Sequence, residues 1–188
     1  MSGRRTPDGA RPAGTLFTIG HSTLPIDRFV TVLRACGVDA VADIRTVPRS
    51  RHNPQFDRDT LAASLAQDRI DYIPMPALGG LRRPRKDSPN GAWRNDSFRG
   101  YADYMQTAAF AEALDDLIRL AGDRRIALMC AEAVPWRCHR SLVADALLAR
   151  GVPVLEIMPD GSTRPHRLTP FARVEGARVD YPPQDAAR

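Results

Sequence analysis

Between positions 130 and 140 the chain places Cys130, Glu132, Arg137, Cys138, His139 and Arg140. Cys130 closes the apolar run IALMC at 126–130, which reads as a buried strand. A periodic segment over 141–150 with Gly151 behind it reads as a helix and its stop. Backbone N–H groups and the helix dipole lower the pKa of a thiol at such a strand-to-helix turn, so Cys130 is a candidate nucleophile. Arg137 or Arg140 would hold an anionic substrate, and His139 or His21 would move the proton. Glu132 is either a general base or a partner for the helix dipole.

Other readings of the same sulfurs stay open. Cys130, Cys138, His139 and His21 are the candidate ligands of a Zn²⁺ or Fe²⁺ ion, although seven residues lie between the two cysteines, where structural zinc sites use two to four. A redox disulfide between Cys130 and Cys138 lacks a Cys-x-x-Cys signature. The plainest reading is a small buried apolar residue at a strand end. A Cys-led loop before a helix with an arginine is also the outline of phosphatases and sulfur-transferring rhodaneses, but the step of seven from Cys130 to Arg137 is not the six of those phosphatases.

The elements that must position these groups alternate along the chain. Residues 16–19 form a short apolar strand closed by Gly20, His21 and Ser22, and a helix opened by Pro25 follows, with Phe29, Val32, Leu33 and Cys36 on one face and Gly37 at its end. Residues 38–44 read as a second strand, then a loop marked by Pro48 and Pro54, then a helix capped by Asp57 that carries Leu61 and Leu65. A weaker third strand spans 70–75, confined to an end or an edge by Pro74. A long loop, 76–96, holds Gly79, Gly80 and the basic cluster Arg82, Arg83, Arg85 and Lys86, readable as a solvated loop, a lid or a nucleic-acid contact beside Trp93, Phe98, Tyr101 and Tyr104. Ser97 is expected to cap one helix, and a second begins near Thr107 and ends at Gly122. A fifth strand covers 152–157, a turn follows at 159–161, and 162 onward carries no assignable pattern.

This alternation predicts an α/β fold: a single three-layer domain over 15–182, with a mostly parallel sheet of about five strands and helices on both faces. Residues 1–14 read as a disordered arm and 183–188 as a tail. Ligands of such sheets bind outside the carboxyl ends of the strands. The loops after strands one, two and four should therefore bring together His21 and Ser22, then Asp43, Arg45, Arg49 and Arg51, then the 130–140 cluster. Asp43 and Arg45 lie two apart and point to one side if the strand continues.

The chain has 188 residues, a formal charge of +5 and three cysteines, an odd and small set that suggests no disulfide framework. Of 27 basic residues only Lys86 is a lysine, which permits bidentate anion binding but more often reflects a composition bias. No run approaches the roughly 18 apolar residues of a membrane span, and the N-terminus lacks the apolar core of a signal peptide. A cytoplasmic protein without membrane attachment is expected.

With these residues in view, the chain resembles the family catalogued as domain of unknown function number 488. The motifs are TIGHS at 18–22, VADIR at 41–45 with PRSR at 48–51, LGG at 78–80, FRGYADYM at 98–105, and MCAE at 129–132 with CHR at 138–140. The resemblance runs from about Thr15 to about Pro182 and implies an α/β fold with shared polar motifs, naming no reaction. One departure is Glu156, where relatives often carry His. The expected function is an enzyme, a Cys/His-dependent hydrolase or transferase, acting on an anionic, phosphate-bearing or nucleotide-like substrate. Cys130, Glu132, His21 and His139 would be its chemical groups. Ser22, Asp43, Arg45, Arg51, Gly79, Gly80, Cys138 and Arg140 would form its binding wall. The alternatives are a non-catalytic nucleic-acid-binding module and a metal-dependent enzyme; no cofactor and no oligomeric state is indicated.

Overall fold

A computed structural model of the chain describes residues 15–183. The expected arm at 1–14 and all but the first residue of the expected tail lie outside the described residues. Five strands, β1 (Leu16–Gly20), β2 (Ala40–Asp43), β3 (Asp71–Pro74), β4 (Ile126–Cys130) and β5 (Val154–Ile157), run parallel, and β6 (Thr163–Pro165) adds an antiparallel edge. The order is β3-β2-β4-β1-β5-β6. The two strands beside β4 are thus β2 and β1, and the three loops that carry the polar motifs open side by side. The sixth strand escapes the sequence reading because three residues ending in Pro165 offer no alternation to recognise.

The sheet is covered on both faces, as successive side chains of a strand must point opposite ways. Phe17, Ile19, Val41, Ala127 and Met129 pack with Phe29, Leu33, Leu61 and Leu65 of α1 (Ile26–Ala35) and α2 (Arg58–Gln67). Leu16, Ala42, Leu128 and Cys130 pack instead toward α3 (Asp96–Tyr104), α4 (Ala108–Leu120) and α5 (Arg140–Ala149). Both faces being buried, the strands read as continuous apolar runs. Helix α5 is buried along most of its length, from Arg140 to Leu147, because a small hairpin of β7 (Arg173–Glu175) and β8 (Arg178–Asp180) covers it from outside.

Local signals act largely as their chemistry dictates. Gly37 ends α1 at φ 64°, a backbone region a glycine enters without a Cβ penalty. The cap of α3 is Asn95 rather than Ser97: the Asn95 amide oxygen accepts from the N–H groups of Ser97 (2.8 Å) and Phe98 (3.3 Å), so Ser97 already lies inside the helix. Asp57 does stand at the N-cap of α2, but its carboxylate accepts from the Ser50 N–H and so holds the preceding loop. The long loop is pinned. Buried Asp103 accepts from the Arg85 N–H, the Ser88 hydroxyl and the Asn90 amide, Tyr101 and Tyr104 donate to the Leu78 and Ala77 carbonyls, and Arg82 lies over the Tyr104 ring at 3.7 Å. Trp93 stacks on Phe98 and meets Phe171 and Tyr181 edge-on. These aromatics are packing residues. Among the described residues no helix is long and apolar enough to cross a membrane.

The segment after β5 is anchored by a buried charge network. His166 bridges Glu156 (2.8 Å) and Asp145 (2.9 Å), and Asp145 also accepts from Thr169 and the Tyr181 hydroxyl. Arg164 pairs with the other oxygen of Glu156. Glu156 is therefore engaged in this network. Burial alone would lower the His166 pKa, but the hydrogen bonds and charges of Asp145 and Glu156 raise it to about 9. A raised folded-state pKa stabilises fully below the unfolded value of 6.5 and is lost as pH rises through about 9. Chemical denaturation across pH should therefore show a loss on the order of 2–3 kcal/mol between pH 6.5 and 9.5. His166→Gln should be less stable at pH 7 and nearly flat over that window; an equally steep variant would exclude this origin.

Candidate active site

The candidate site lies where β1, β4 and β2 end. Pairing continues past the strand ends: the His21 N–H donates to the Cys130 carbonyl (2.9 Å), the Ser22 N–H to the Ala131 carbonyl (2.9 Å), and the Ile44 N–H to the Met129 carbonyl (3.1 Å). This stitching places His21, Cys130 and Arg45 around one cleft of about 330 Å³, whose wall also includes Thr46, Arg49, Gly80, Glu132, Cys138 and His139. At Gly20 a Cβ would lie 1.7 Å from the Glu132 carbonyl oxygen, so only glycine lets the loop after β4 fold back over the end of β1.

That loop folds back around Arg140. The guanidinium is fully buried at the first residue of α5. Its Nη1 donates to Cys130 Sγ at 2.6 Å and to the Glu132 carbonyl at 2.5 Å, and its Nη2 to the Ala133 carbonyl at 3.0 Å. Nε faces no acceptor among the described residues. Cys138 Sγ lies 2.7 Å from Cys130 Sγ. Burial opposes ionisation of Cys130, yet the Cys138 hydrogen bond and the Arg140 charge outweigh it and lower its pKa to about 7. The Cys138 thiol moves the other way, held protonated by its contact with Cys130 and by burial. One thiolate and one thiol thus share a single proton.

The second wall is an ion pair already complete. Arg45 Nε and Nη2 grip the two oxygens of Asp43 at 2.9 and 2.6 Å, Nη2 also donates to the Phe56 carbonyl, and the Tyr72 hydroxyl donates to Asp43 at 2.7 Å. Burial opposes the charge of Arg45, but Asp43 raises its pKa further. The remaining nitrogen, Nη1, donates to His21 Nε2 at 3.3 Å. His21 must then carry its proton on Nδ1, which donates to the Ser22 carbonyl at 2.9 Å, while its ring stacks on Phe56 at 4.1 Å. Burial, with Arg45 nearby, lowers its pKa to about 4. Both nitrogens are therefore committed, and the ring orients Arg45 without reaching a sulfur.

His139 is also neutral, with burial lowering its pKa to about 4. Its Nε2 donates to the Ile44 carbonyl at 3.2 Å, which leaves Nδ1 as an acceptor 3.6 Å from Cys138 Sγ. It serves Cys138, not Cys130. Gly80 packs on this ring, where a Cβ would approach Nδ1 to 3.0 Å, and its carbonyl accepts from the Thr46 hydroxyl. Gly79 is buried beside Thr46, outside the cleft wall. Ser22 contributes its carbonyl at φ 46°.

The arginines distribute differently from the sequence reading. Arg45 and Arg140 are locked inside, and Arg51 and Arg137 are exposed residues off the cleft wall. Of the two arginines on the cleft wall, Arg45 is paired with Asp43, and Arg49 has no ion pair among the described residues. Its alternation with Arg51 in the loop could have separated them only if the backbone path were known. Phe56 and Tyr72 were not legible as partners of His21 and Asp43, since hydrophobic pattern marks them only as core. No cluster of three His, Cys, Asp or Glu side chains among the described residues is arranged to hold a metal ion. Guanidinium groups stand against Cys130 and His21 where a shared cation would need to sit.

Comparison with known proteins returns one family model, described as "Domain of unknown function DUF488", which matches residues 25–147, more than half of the chain. The match takes in Asp43, Arg45, both cleft cysteines, His139 and Arg140, and begins after His21 and Ser22; it is shorter than the span from about Thr15 to about Pro182 that the motifs suggest. No curated protein and no solved structure matches the chain.

The electrostatics can be read optically. Thiolate absorbance near 240 nm should rise in one step centred at about pH 7. Cys130→Ser should remove this step, and Arg140→Gln should move it toward roughly 8.5, the ordinary thiol value. A wild-type step no lower than 8.5 would contradict the assignment.

Proposed function

The chain belongs to the DUF488 family, whose description assigns no activity; from its own cleft we propose that it is a group-transfer or hydrolytic enzyme in which Cys130 attacks an anionic, phosphate-bearing or nucleotide-like substrate. The observation that carries this reading is the Cys130 thiolate held by Arg140 Nη1 at 2.6 Å on the floor of a cleft. A thiol pKa near neutral combines a large thiolate fraction with retained nucleophilicity. The nucleophile needs no histidine base, which agrees with the placement of His21 and His139 away from its sulfur.

Each neighbour then has a limited task. Arg49 at the wall attracts the anionic group, and the Asp43–Arg45 pair fixes the adjoining surface without competing for charge. Cys138, kept protonated, is the nearest proton donor to the reacting centre. In hydrolysis, Glu132, an exposed carboxylate on the cleft wall, is the group left to activate water. A reducing cytoplasm suits three cysteines that are in no disulfide.

Two alkylating agents of nearly equal size test the anion preference before any substrate is known. Iodoacetate should modify Cys130 faster than iodoacetamide, the reverse of an ordinary free thiol. Inorganic phosphate should compete, and Arg49→Ala should lower the iodoacetate rate by roughly tenfold, about 1.4 kcal/mol of lost electrostatic attraction. A Cys130 that prefers iodoacetamide and ignores phosphate would sink the anionic reading.

A further inference from the structure

The proposed reaction uses Cys138 only as a proton donor, a task that requires neither sulfur nor a 2.7 Å approach to Cys130. Both sulfurs line the same cleft, with Cys130 2% and Cys138 5% exposed, so a small electrophile reaches them more readily than a bulky one. Cys36, the third cysteine, is buried against the opposite face of the sheet and takes no part. His139 Nδ1 is a bare acceptor beside Cys138 Sγ and not beside Cys130. Two sulfurs, an arginine on one and a neutral imidazole on the other, make an unequal pair whose members can play different parts.

We infer that Cys130 and Cys138 form a peroxide-reducing pair, in which Cys130 attacks a small hydroperoxide and Cys138 resolves the product into an intramolecular disulfide. In the first step the Cys130 thiolate bonds to one peroxide oxygen, the O–O bond breaks, and the departing oxygen takes a proton from solvent and leaves as water or an alcohol. Cys130 becomes a sulfenic acid, oxidised by two electrons, and the peroxide is reduced by two. In the second step the Cys138 thiol passes its proton to His139 Nδ1 as its sulfur attacks Cys130. The S–S bond forms, the S–O bond breaks, and hydroxide recovers that proton and leaves as water. An external dithiol, oxidised in turn, restores the two thiols.

The inference rests on the reactive-thiolate reading above, but its test needs no substrate of the proposed enzyme. Reduced full-length protein is treated with a slight excess of hydrogen peroxide, denatured, alkylated and mapped by mass spectrometry. Two of the three thiols should disappear into one disulfide-linked peptide pair, 130 with 138, while Cys36 is alkylated in full. Dithiothreitol should return all three. Cys138→Ser should stop at a Cys130 sulfenic acid that dimedone traps, and Cys36→Ser should behave as the wild type. Three intact thiols after peroxide, a disulfide that uses Cys36, or a disulfide between two chains would each overturn the inference. Because the wild type alone decides this, a variant that fails to fold does not obscure the answer. Preferential iodoacetate labelling without disulfide formation would remove this inference and leave the proposed function standing. Disulfide formation with no preference for iodoacetate would do the opposite.

Discussion

Burying the guanidinium of Arg140 is the constraint on which the site depends. A charge without exposure costs several kcal/mol unless acceptors surround it, and it stands at the N-terminus of α5, where the helix dipole repels a cation. Three acceptors answer this: the carbonyls of Glu132 and Ala133 and the sulfur of Cys130. The two carbonyls require the loop after β4 to turn back on itself, and that turn passes so close to β1 that residue 20 must lack a Cβ. The charge of the guanidinium in turn favours the thiolate form of that sulfur. Chain path, glycine and a sulfur of lowered pKa thus follow from one buried charge.

The Asp43–Arg45 pair is the opposite case. Its arginine is neutralised by a carboxylate that is also held by Tyr72, with the last guanidinium nitrogen capped by His21. A buried pair with four of its five guanidinium N–H groups and both carboxylate oxygens hydrogen-bonded makes a rigid wall. The cleft therefore sets one arginine wall against another, and the Arg140 wall differs in having a soft, polarisable sulfur where the Arg45 wall has a carboxylate. Arg140 Nε, buried without an acceptor among the described residues, marks the Arg140 wall as the less completely satisfied of the two.

The fold was largely legible because both faces of the sheet are buried: apolar strands such as 126–130 and amphipathic helices such as α1 and α4 declare themselves by period. The adjacency of the loops after β1, β2 and β4 was an expectation that the strand order now supports. What escaped were features set by distance rather than pattern. Nothing in the spacing of Arg137 and Arg140 says which turns inward; the answer lies in where α5 begins, and Arg140 is its first residue. Histidines at 21 and 139 suggested proton carriers by type alone, whereas hydrogen bonds to the Ser22 and Ile44 carbonyls fix their tautomers and withdraw them from Cys130. The network of His166, Asp145, Glu156 and Tyr181 joins α5 and β5 to the residues just after β6 and β8, and no local period could announce it.

The guanidinium that holds Cys130 also sets how firmly a disulfide with Cys138 would be held. Oxidation removes the negative charge at Cys130 and leaves Arg140 buried with two carbonyl acceptors and no anion. The thiolate form is stabilised by this partner and the disulfide form is not, so the equilibrium lies toward the reduced pair relative to two ordinary thiols. A stabilised reduced state is what makes a disulfide strongly oxidising. Cys138 contributes in the same direction, since its thiol hydrogen bond to the thiolate is lost on oxidation. Close approach of the sulfurs favours rapid closure, and the buried charge favours ready reopening. Rate and equilibrium are governed by different neighbours, proximity by the turn that ends at Cys138 and poise by Arg140, so a bond formed here would be fast to make without becoming a permanent crosslink.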